Sequence, residues 1–183
     1  NDSNVGFGQG HNQIIFSAST DWHLVLNPDV EFNRTCMKEL IELGESNPRI
    51  VAVTPRGFDA QGRDANLNKR FPSLLTLLIR GIGYKPLNHL FRRQLSSYEY
   101  HELSKTRPTI GIEFASGCCL LARTSSLKAA NGFDPNYFLY FEDFDLSKRL
   151  TTQGAIAYQP NAHILHHGGN TATKGIKHVY YFC

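Results

Sequence analysis

The sequence predicts an α/β domain, because short apolar segments alternate with segments of helical periodicity. Trp22–Leu26 and residues 49–54 have the length and composition of buried strands, and residues 33–45 place apolar side chains along one face of a helix. The 183 residues are 41% hydrophobic and 19% charged, which suits one folded domain with a substantial core.

Charge and cysteine content exclude several classes of protein. The net charge of +3 is small and no nucleic-acid-binding motif occurs, so no nucleic acid partner is predicted. The longest apolar run, near residues 74–82, is interrupted by polar residues and is too short to span a bilayer. The cysteines lack a Cys-x-x-Cys spacing, which fits a reducing compartment and predicts a cytoplasmic protein; they are Cys36, Cys118, Cys119 and Cys183.

A glycine-rich loop opens the chain and leads into a predicted helix that carries Ile14, Ile15 and Ala18. The loop reads Asn4-Val-Gly6-Phe7-Gly8-Gln-Gly10-His-Asn12. One alternative for it is a dinucleotide-binding fingerprint, with Asp29 at a suitable distance to bind a ribose hydroxyl. This alternative is disfavoured, because the third glycine falls one position early and no strand precedes the loop.

The predicted strand Trp22–Leu26 is followed by Asn27-Pro28-Asp29, and the proline closes the strand. In open α/β sheets, ligands collect at the carboxyl ends of the strands. Asp29 is therefore a candidate ligand-binding carboxylate. The alternative is that it is an ordinary turn or capping residue.

The next segments are predicted to build the scaffold. Residues 33–45 form a helix with Met37, Leu40, Ile41 and Leu43 on its apolar side, and the strand at 49–54 follows. Glycine, aspartate and asparagine are frequent in residues 55–68, which indicates a loop or a hairpin.

The composition changes in the next segment, which is basic and amphipathic. Residues 69–93 contain no acid, and their apolar residues are interleaved with Lys69, Arg70, Arg80, Lys85, Arg92 and Arg93. Such a segment can lie on an anionic membrane surface, which would make the protein peripheral at the inner face of the plasma membrane. The alternative is a pair of helices that pack on the domain and leave their basic faces in solvent.

Residues 113–123 predict two strands joined at a bend formed by Ser116-Gly117. Glycine at the bend allows the backbone to approach a ligand closely. Residues 124–130 then predict a short helix that leads to the most informative segment of the chain.

That segment, residues 131–150, joins a tight turn, an aromatic run and a helix that begins near Glu142 and Asp143. Acids in a first helical turn complement the helix dipole, which is the ordinary explanation for such a pair. Asp143 and Asp145 lie about 200° apart around the helix axis, so they cannot present to the same ligand. Asp145 is instead placed to pair with Arg149, and Gly154 ends the helix.

The last predicted strand, at residues 155–158, precedes a cluster of histidines and glycines. The cluster comprises His163, His166, His167, Gly168 and Gly169. A lone histidine is usually structural, but an imidazole in such a cluster can complete a metal site that carboxylate and diphosphate oxygens begin.

Residues 132–150 carry a resemblance to a known family. The pattern Gly132-Phe-Asp-x-x-Tyr-Phe-x-x-x-Glu142-Asp143-x-Asp145-Leu-x-x-Arg149-Leu resembles the acceptor-side motif of the family 2 inverting glycosyltransferases, especially the rhamnosyltransferase-like branch. In that family the aspartate of the Glu-Asp pair is the general base. The resemblance therefore assigns this catalytic role to Asp143, with Glu142 as a neighbouring site residue.

The same resemblance implies the remaining site residues. Asn27-Pro28-Asp29-Val30 stands where the family has its Asp-x-Asp motif, so Asp29 is implied to bind a divalent metal, Mn²⁺ or Mg²⁺. His166 is the first choice to complete that metal site, and His167 is the second. The implied substrate-binding residues are Asn4, Gly6, Phe7 and Asn12 near the donor phosphates, Asn27 and Ser116-Gly117 near the donor sugar, and Arg149 in the acceptor motif.

The resemblance implies a GT-A-type, Rossmann-like fold in which a mixed sheet lies between two helical layers. One catalytic domain is expected over residues 1–183: a donor and metal side in 1–68, a basic insertion in 69–110 and an acceptor side in 111–183. The family's opening βαβ unit is absent, so the sequence is expected to be an N-terminally truncated fragment.

The implied reaction is inverting transfer of a sugar, with rhamnose favoured, from a nucleoside diphosphate sugar to a saccharide or lipid-linked saccharide in cell-surface polysaccharide synthesis. The alternative is a non-catalytic module that binds nucleotide sugars or saccharides.

Overall fold

The computed structural model describes residues 4–73, 75–76, 78–79, 89–138 and 141–167. Arg80, Lys85, Gly168 and Gly169 lie outside this part of the chain. In chain order the elements are α1 (Phe7–Ile15), β1 (Trp22–Leu26), β2 (Val30–Phe32), α2 (Cys36–Ser46), β3 (Ile50–Phe58), α3 (Arg92–Tyr98), β4 (Thr109–Ile112), β5 (Cys119–Arg123), α4 (Thr124–Ala129), α5 (Glu142–Thr151) and β6 (Ala155–His166).

The strands form one mixed sheet in the order β1-β5-β3-β6-β2, with β4 also paired to β6. β3 and β6 are parallel, whereas the other pairs are antiparallel. One side of β6 lies along β3, and its other side is shared by β4, near its start, and β2, at its end. Strands from both ends of the described chain therefore alternate in a single sheet.

Helices cover both faces of the sheet. On β5, Leu120 contributes to a core with Leu146 and Leu150 of α5, whereas Leu121 contributes to a second core with Leu40 of α2. Alternate residues of a strand point to opposite faces, so the two cores lie on opposite sides of the sheet. The predicted three-layer α/β/α architecture is confirmed.

The element bounds agree with the sequence in part. β1 occupies the predicted residues, whereas β3 continues through Pro55 to Phe58 and β6 continues through Pro160 to His166. The β3–β6 register shifts after Pro55, so both prolines lie at an irregularity, where the ladder tolerates a missing N–H. The glycine-rich loop is shorter than predicted, because α1 begins at Phe7 with Gly6 as its N-cap.

A substitution at Gly154 tests how closely the end of α5 packs on β3. A Cβ atom at Gly154 would lie 2.4 Å from the carbonyl oxygen of Arg49 and 2.6 Å from Val51 Cγ1. Gly154→Ala should therefore lower the free energy of unfolding by about 1–3 kcal/mol, as overpacking does. Chemical denaturation would measure the change.

Gly10→Ala is the matched control, because a Cβ atom at Gly10 meets nothing within 4 Å and the residue lies inside α1. This variant should be neutral or more stable, since alanine favours helix by up to about 1 kcal/mol over glycine. Equal stabilities for the two variants would contradict the packing argument.

Candidate active site

Asp143 lies in the first turn of α5 and is bound to the backbone of a distant segment. Its Oδ2 accepts a hydrogen bond from the Gly117 N–H at 3.2 Å, and its Oδ1 accepts one from the Phe144 N–H at 3.0 Å. A Cβ atom at Gly117 would lie 3.1 Å from Phe7 Cε1 and 3.5 Å from Asp143 Cβ. The missing side chain at Gly117 therefore leaves room for both Phe7 and Asp143 to lie close to the backbone at this bend.

Burial raises the pKa of Asp143 above its usual range, and the hydrogen bonds from Gly117 and Phe144 oppose that rise. The donors at the helix start favour the ionised form, but removal from water has the larger effect on the pKa. A carboxylate with a raised pKa is a stronger proton acceptor than an exposed one.

Glu142 is buried beside Asp143. Its Oε2 makes no hydrogen bond within the described chain. Burial raises the pKa of Glu142, and the charge of Asp143 adds to the rise. The two acids are thus neighbours in a poorly solvated environment, which is uncommon for carboxylates that only complement a helix dipole.

Asp29 and His166 lie side by side at the β2–β6 end of the sheet. Val30 pairs with His166 across the two strands, and His166 Nε2 lies 3.4 Å from Asp29 Oδ2. His167 points elsewhere, because its Nε2 lies 2.9 Å from Glu31 Oε1. The two histidines therefore have different carboxylate partners, and His166, the first choice from the sequence, is the one that lies beside Asp29.

This pair fits a divalent metal such as Mn²⁺. It offers one carboxylate oxygen and one imidazole nitrogen, and both side chains are partly exposed to solvent. No group of three or more histidine, cysteine, aspartate or glutamate side chains suited to a metal occurs within the described residues. An ion held by Asp29 and His166 would therefore complete its coordination from bound substrate or water.

Cys118 connects the two groups of acids. Burial, together with the charges of Asp29 and Asp143, raises the pKa of the Cys118 thiol to about 12. Both carboxylates therefore lie within electrostatic reach of one buried sulfur. The candidate base and the candidate metal ligand border the same segment, residues 116–118.

Asn27 also borders this segment, and Ser116 makes a hydrogen bond within it. The Asn27 N–H donates to the Cys118 carbonyl at 3.0 Å, and Ser116 Oγ accepts from the Cys118 N–H at 3.2 Å. The structure thus brings together Asp29, Asn27, Ser116, Gly117 and Asp143, which are far apart in the sequence.

The glycine-rich segment packs against the same region. Asn4 Oδ1 accepts a hydrogen bond from the Gly6 N–H at 3.0 Å, and Gly6 has a positive φ of 84°. A Cβ atom at Gly6 would lie 2.7 Å from the carbonyl oxygen of Phe138. The Phe7 ring contacts the Phe133 ring edge to face, with centroids 5.9 Å apart. Asn4, Gly6 and Phe7 therefore lie between the aromatic run and Gly117.

Two of the predicted substrate contacts, Asn12 and Arg149, make hydrogen bonds within the fold. Asn12 Nδ2 donates to the Phe133 carbonyl at 2.7 Å, and the Phe133 N–H donates to Asn12 Oδ1 at 2.8 Å. Arg149 binds Asp145 and the carbonyl oxygens of Ala130 and Gly132. Asn12 and Arg149 both hold the turn before α5, so their polar groups are used within the fold.

Lys69 is a residue that sequence reasoning did not connect with this site. It forms an isolated β-bridge with Phe114. Its charge lowers the pKa of Asp143, as the hydrogen bonds do, but burial raises that pKa by more. Lys69 and Phe114 are distant in the sequence, so no local pattern could have indicated the contact.

Comparison with known proteins identifies relatives of the chain. No known family profile matches it. It is 31% identical over 186 residues to the N-acetylglucosaminyl-diphospho-decaprenol L-rhamnosyltransferase of Mycobacterium tuberculosis, and the match covers 94% of this chain and 59% of that protein. The chain is a homologue of rhamnosyltransferases. It therefore spans about three fifths of the length of that curated relative.

Two further relatives are also named as sugar transferases. Rhamnosyltransferase WbbL of Escherichia coli is 27% identical over 88% of this chain and 61% of its own length. The low-salt glycan biosynthesis hexosyltransferase Agl10 of Haloferax volcanii is 25% identical over 80% of this chain and 43% of its own length.

The fold agrees with a solved structure, that of GalNAc-T7 with UDP, GalNAc and Mn²⁺. The TM-score is 0.61 at 12% identity, covering 92% of this chain and 31% of that one. The predicted GT-A fold of the rhamnosyltransferase homologue is confirmed.

Asn12→Ala tests the structural role of this side chain. The variant leaves the N–H and the carbonyl of Phe133 without their hydrogen-bond partners. Each unpaired buried polar group costs about 1–3 kcal/mol of stability. Its Tm should therefore fall, as measured by differential scanning calorimetry. Gln13→Ala is the control, since Gln13 is exposed on the same helix. An unchanged Tm for Asn12→Ala, with weaker nucleotide binding, would restore Asn12 as a substrate contact.

Proposed function

We propose that this GT-A domain belongs to a metal-dependent, inverting glycosyltransferase that moves L-rhamnose from a nucleoside diphosphate sugar to a lipid-linked saccharide. The observation that carries the proposal is that residues 117–118 are held from both sides: the Gly117 N–H donates to Asp143, and the Cys118 carbonyl accepts from Asn27, two residues before Asp29. This arrangement supports a site that holds a donor diphosphate on one side and activates an acceptor hydroxyl on the other.

Asp143 is the proposed general base. Its carboxylate would take the proton of the acceptor hydroxyl as that oxygen attacks the anomeric carbon and the diphosphate leaves. A single displacement inverts the anomeric configuration. Burial supports this role, because the raised pKa of Asp143 brings its proton affinity closer to the operating pH.

Asp29 and His166 are the proposed metal ligands. When bound, the divalent ion neutralises charge on the departing diphosphate. The 3.4 Å separation between His166 Nε2 and Asp29 Oδ2 supports joint binding of one ion. Mn²⁺ is favoured over Ca²⁺, because imidazole is a poor ligand for hard cations.

The substrate classes are inferred from the relatives. The mycobacterial relative is named for L-rhamnose transfer and for an N-acetylglucosaminyl-diphospho-decaprenol acceptor, and WbbL is also named a rhamnosyltransferase. The structural neighbour was crystallised with UDP, GalNAc and Mn²⁺. These names support a nucleotide-activated sugar donor, a polyprenyl-linked acceptor and a divalent metal.

Asp143→Asn, in the intact protein, should lower the transfer rate by about 10² or more, the usual range for general base removal, while donor affinity is retained. In the wild type, loss of kcat/KM on the acidic side should follow an apparent pKa above the ordinary aspartate value of about 3.9. The sign follows from burial: a raised pKa means that the base becomes protonated, and activity is lost, at a higher pH than for an exposed aspartate.

Asp145→Asn is the control, because Asp145 pairs with Arg149 and should act on stability instead. Its Tm should fall and its transfer should remain in the folded fraction. If Asp143→Asn transferred sugar at the wild-type rate while Asp145→Asn stayed folded and inactive, the base would be misassigned.

Asp29→Ala should weaken binding of a nucleoside diphosphate sugar in Mn²⁺ and leave binding in chelator unchanged. Calorimetric titration would measure both. Glu31→Ala is the matched control, since the Glu31 carboxylate contacts His167 and not His166. Equal losses with and without metal would contradict the ligand role, and absence of metal-dependent binding in the wild type would favour a non-catalytic saccharide-binding module.

A peripheral membrane contact is also proposed, through a surface formed by Leu75, Leu78, Leu90, Arg92 and Arg93. The three leucines are exposed, and the hydrogen bond from Gln94 Nε2 to Ser73 Oγ at 3.2 Å brings the first segment beside α3. No helix within the described residues is long and apolar enough to cross a bilayer. Exposed leucines next to arginines suit an anionic lipid surface.

Reversal of Arg92 and Arg93 to glutamate should weaken co-sedimentation with anionic vesicles at low salt by at least about 30-fold, since each basic residue near such a surface contributes about 1 kcal/mol. The Tm should be unchanged, because both side chains are exposed. Lys38→Glu is the control, because the Lys38 side chain is exposed on α2. Unfolding of the double variant would favour the alternative that this segment only packs on the domain.

A further inference from the structure

A serine of α5 makes a second contact with the segment that carries Gly117. Ser147 is fully buried, and its Oγ accepts a hydrogen bond from the Ala115 N–H at 3.2 Å. The same hydroxyl donates to the Ala115 carbonyl at 3.3 Å. Ala115 is also buried, and it lies between the isolated bridge at Phe114 and the start of β5. Buried backbone groups outside a strand need partners from elsewhere, and the Ser147 hydroxyl supplies them.

The helix itself gives no reason for a hydroxyl at this position. A serine inside a helix usually points to solvent or bonds the carbonyl four residues earlier. The partner of Ser147 is instead 32 residues away in the sequence. Alanine would fit the same space and favours the helix slightly more than serine does. The contact with Ala115 is therefore what the hydroxyl contributes.

Ser147 and Asp143 lie on one face of α5, because they are four residues apart. Asp143 Oδ2 accepts the Gly117 N–H, two residues after Ala115, whereas the other hydrogen bond to Asp143 comes from Phe144 within α5 itself. The same face of the helix therefore holds the bend at two points. We propose that Ser147 is a positioning residue, which acts through Ala115 to keep the Gly117 N–H directed at the Asp143 carboxylate. Its relevance to catalysis rests on the proposed function.

A purely structural role for Ser147 is the alternative, and the pKa of Asp143 distinguishes the two. The ionisable groups that interact with Asp143 include Glu142, Lys69 and Cys118, and Ser147→Ala changes none of them. A change in the pKa of Asp143 in this variant would therefore report on its hydrogen bonds or on its burial.

The direction of the change separates these two causes. The hydrogen bond from Gly117 lowers the pKa of Asp143, so weakening that bond should raise the pKa. Entry of water into the space left by the hydroxyl would instead lower the pKa, because burial is what raises it. A positioning role thus predicts a rise.

The experiment is a pH titration of the Asp143 side-chain carboxyl in the intact protein, followed by ¹³C NMR and assigned by its loss in Asp143→Asn. In Ser147→Ala the pKa should rise by about one pH unit, a tenfold change in the dissociation constant, as expected when a hydrogen bond to a charged group is weakened. Ser147→Cys should give a smaller rise, because a thiol forms weaker hydrogen bonds. It also replaces the alanine variant if that variant does not fold.

Two controls separate positioning from loss of stability. Ser126→Ala removes the hydroxyl of another buried serine, on α4, and Val53→Ala weakens the core on the opposite side of the sheet. Both should leave the pKa of Asp143 at its wild-type value. An unchanged or lower pKa in folded Ser147→Ala, or an equal rise in Val53→Ala, would overturn the inference.

Transfer kinetics connect the inference to the proposed function. If Asp143 is the base, the acidic limb of kcat/KM in Ser147→Ala should move to higher pH by the same amount as the NMR titration. A rise in the NMR titration without a shift of the limb would support the positioning role and contradict Asp143 as the base. The NMR measurement requires no transfer activity, so failure of one proposal is distinguishable from failure of the other.

Discussion

The position of the candidate base depends on one pair of hydrogen bonds. The Asn12 side-chain amide donates to the Phe133 carbonyl and accepts from the Phe133 N–H, 121 residues away in the sequence. These two bonds join α1 to the turn before α5. Gly132 has a φ of 63° there, and a Cβ atom on it would lie 2.3 Å from Asn12 Oδ1. The Arg149 guanidinium donates hydrogen bonds to two carbonyl oxygens of the same turn. The start of α5 is thus held from two sides before any substrate binds.

The surroundings of Asp143 follow from that constraint. Once α5 is positioned, its first turn meets the backbone at Gly117, and the absence of a side chain there lets the carboxylate accept the Gly117 N–H. The same contact removes water from Asp143, so burial and hydrogen bonding act on its pKa in opposite directions. Burial is the larger effect. Geometry and proton affinity at this site therefore have a common origin in close backbone packing.

The sequence was informative about elements and about residue types, and less so about long-range partners. Periodicity predicted β1 and α5, and the Glu-Asp motif predicted the family. Asn12 and Arg149 were assigned to substrate, because an amide or a guanidinium that binds a ligand looks the same in sequence as one that binds a distant backbone carbonyl. The extension of β6 past Pro160 was missed, since proline usually ends a strand and the bulge that accommodates it has no local signature.

The register between β2 and β6 has a consequence for how the length of this region can vary. β6 pairs with β4 at one point and with β2 further on, and the irregular stretch lies between them. Because side chains alternate along a strand, a single-residue insertion or deletion in that stretch would exchange the faces of His166 and His167. A change of two residues would restore the original face but move His166 about 7 Å along the strand, away from Asp29. The contact of Asp29 with His166 therefore depends on the exact length of the irregular stretch and not only on its parity.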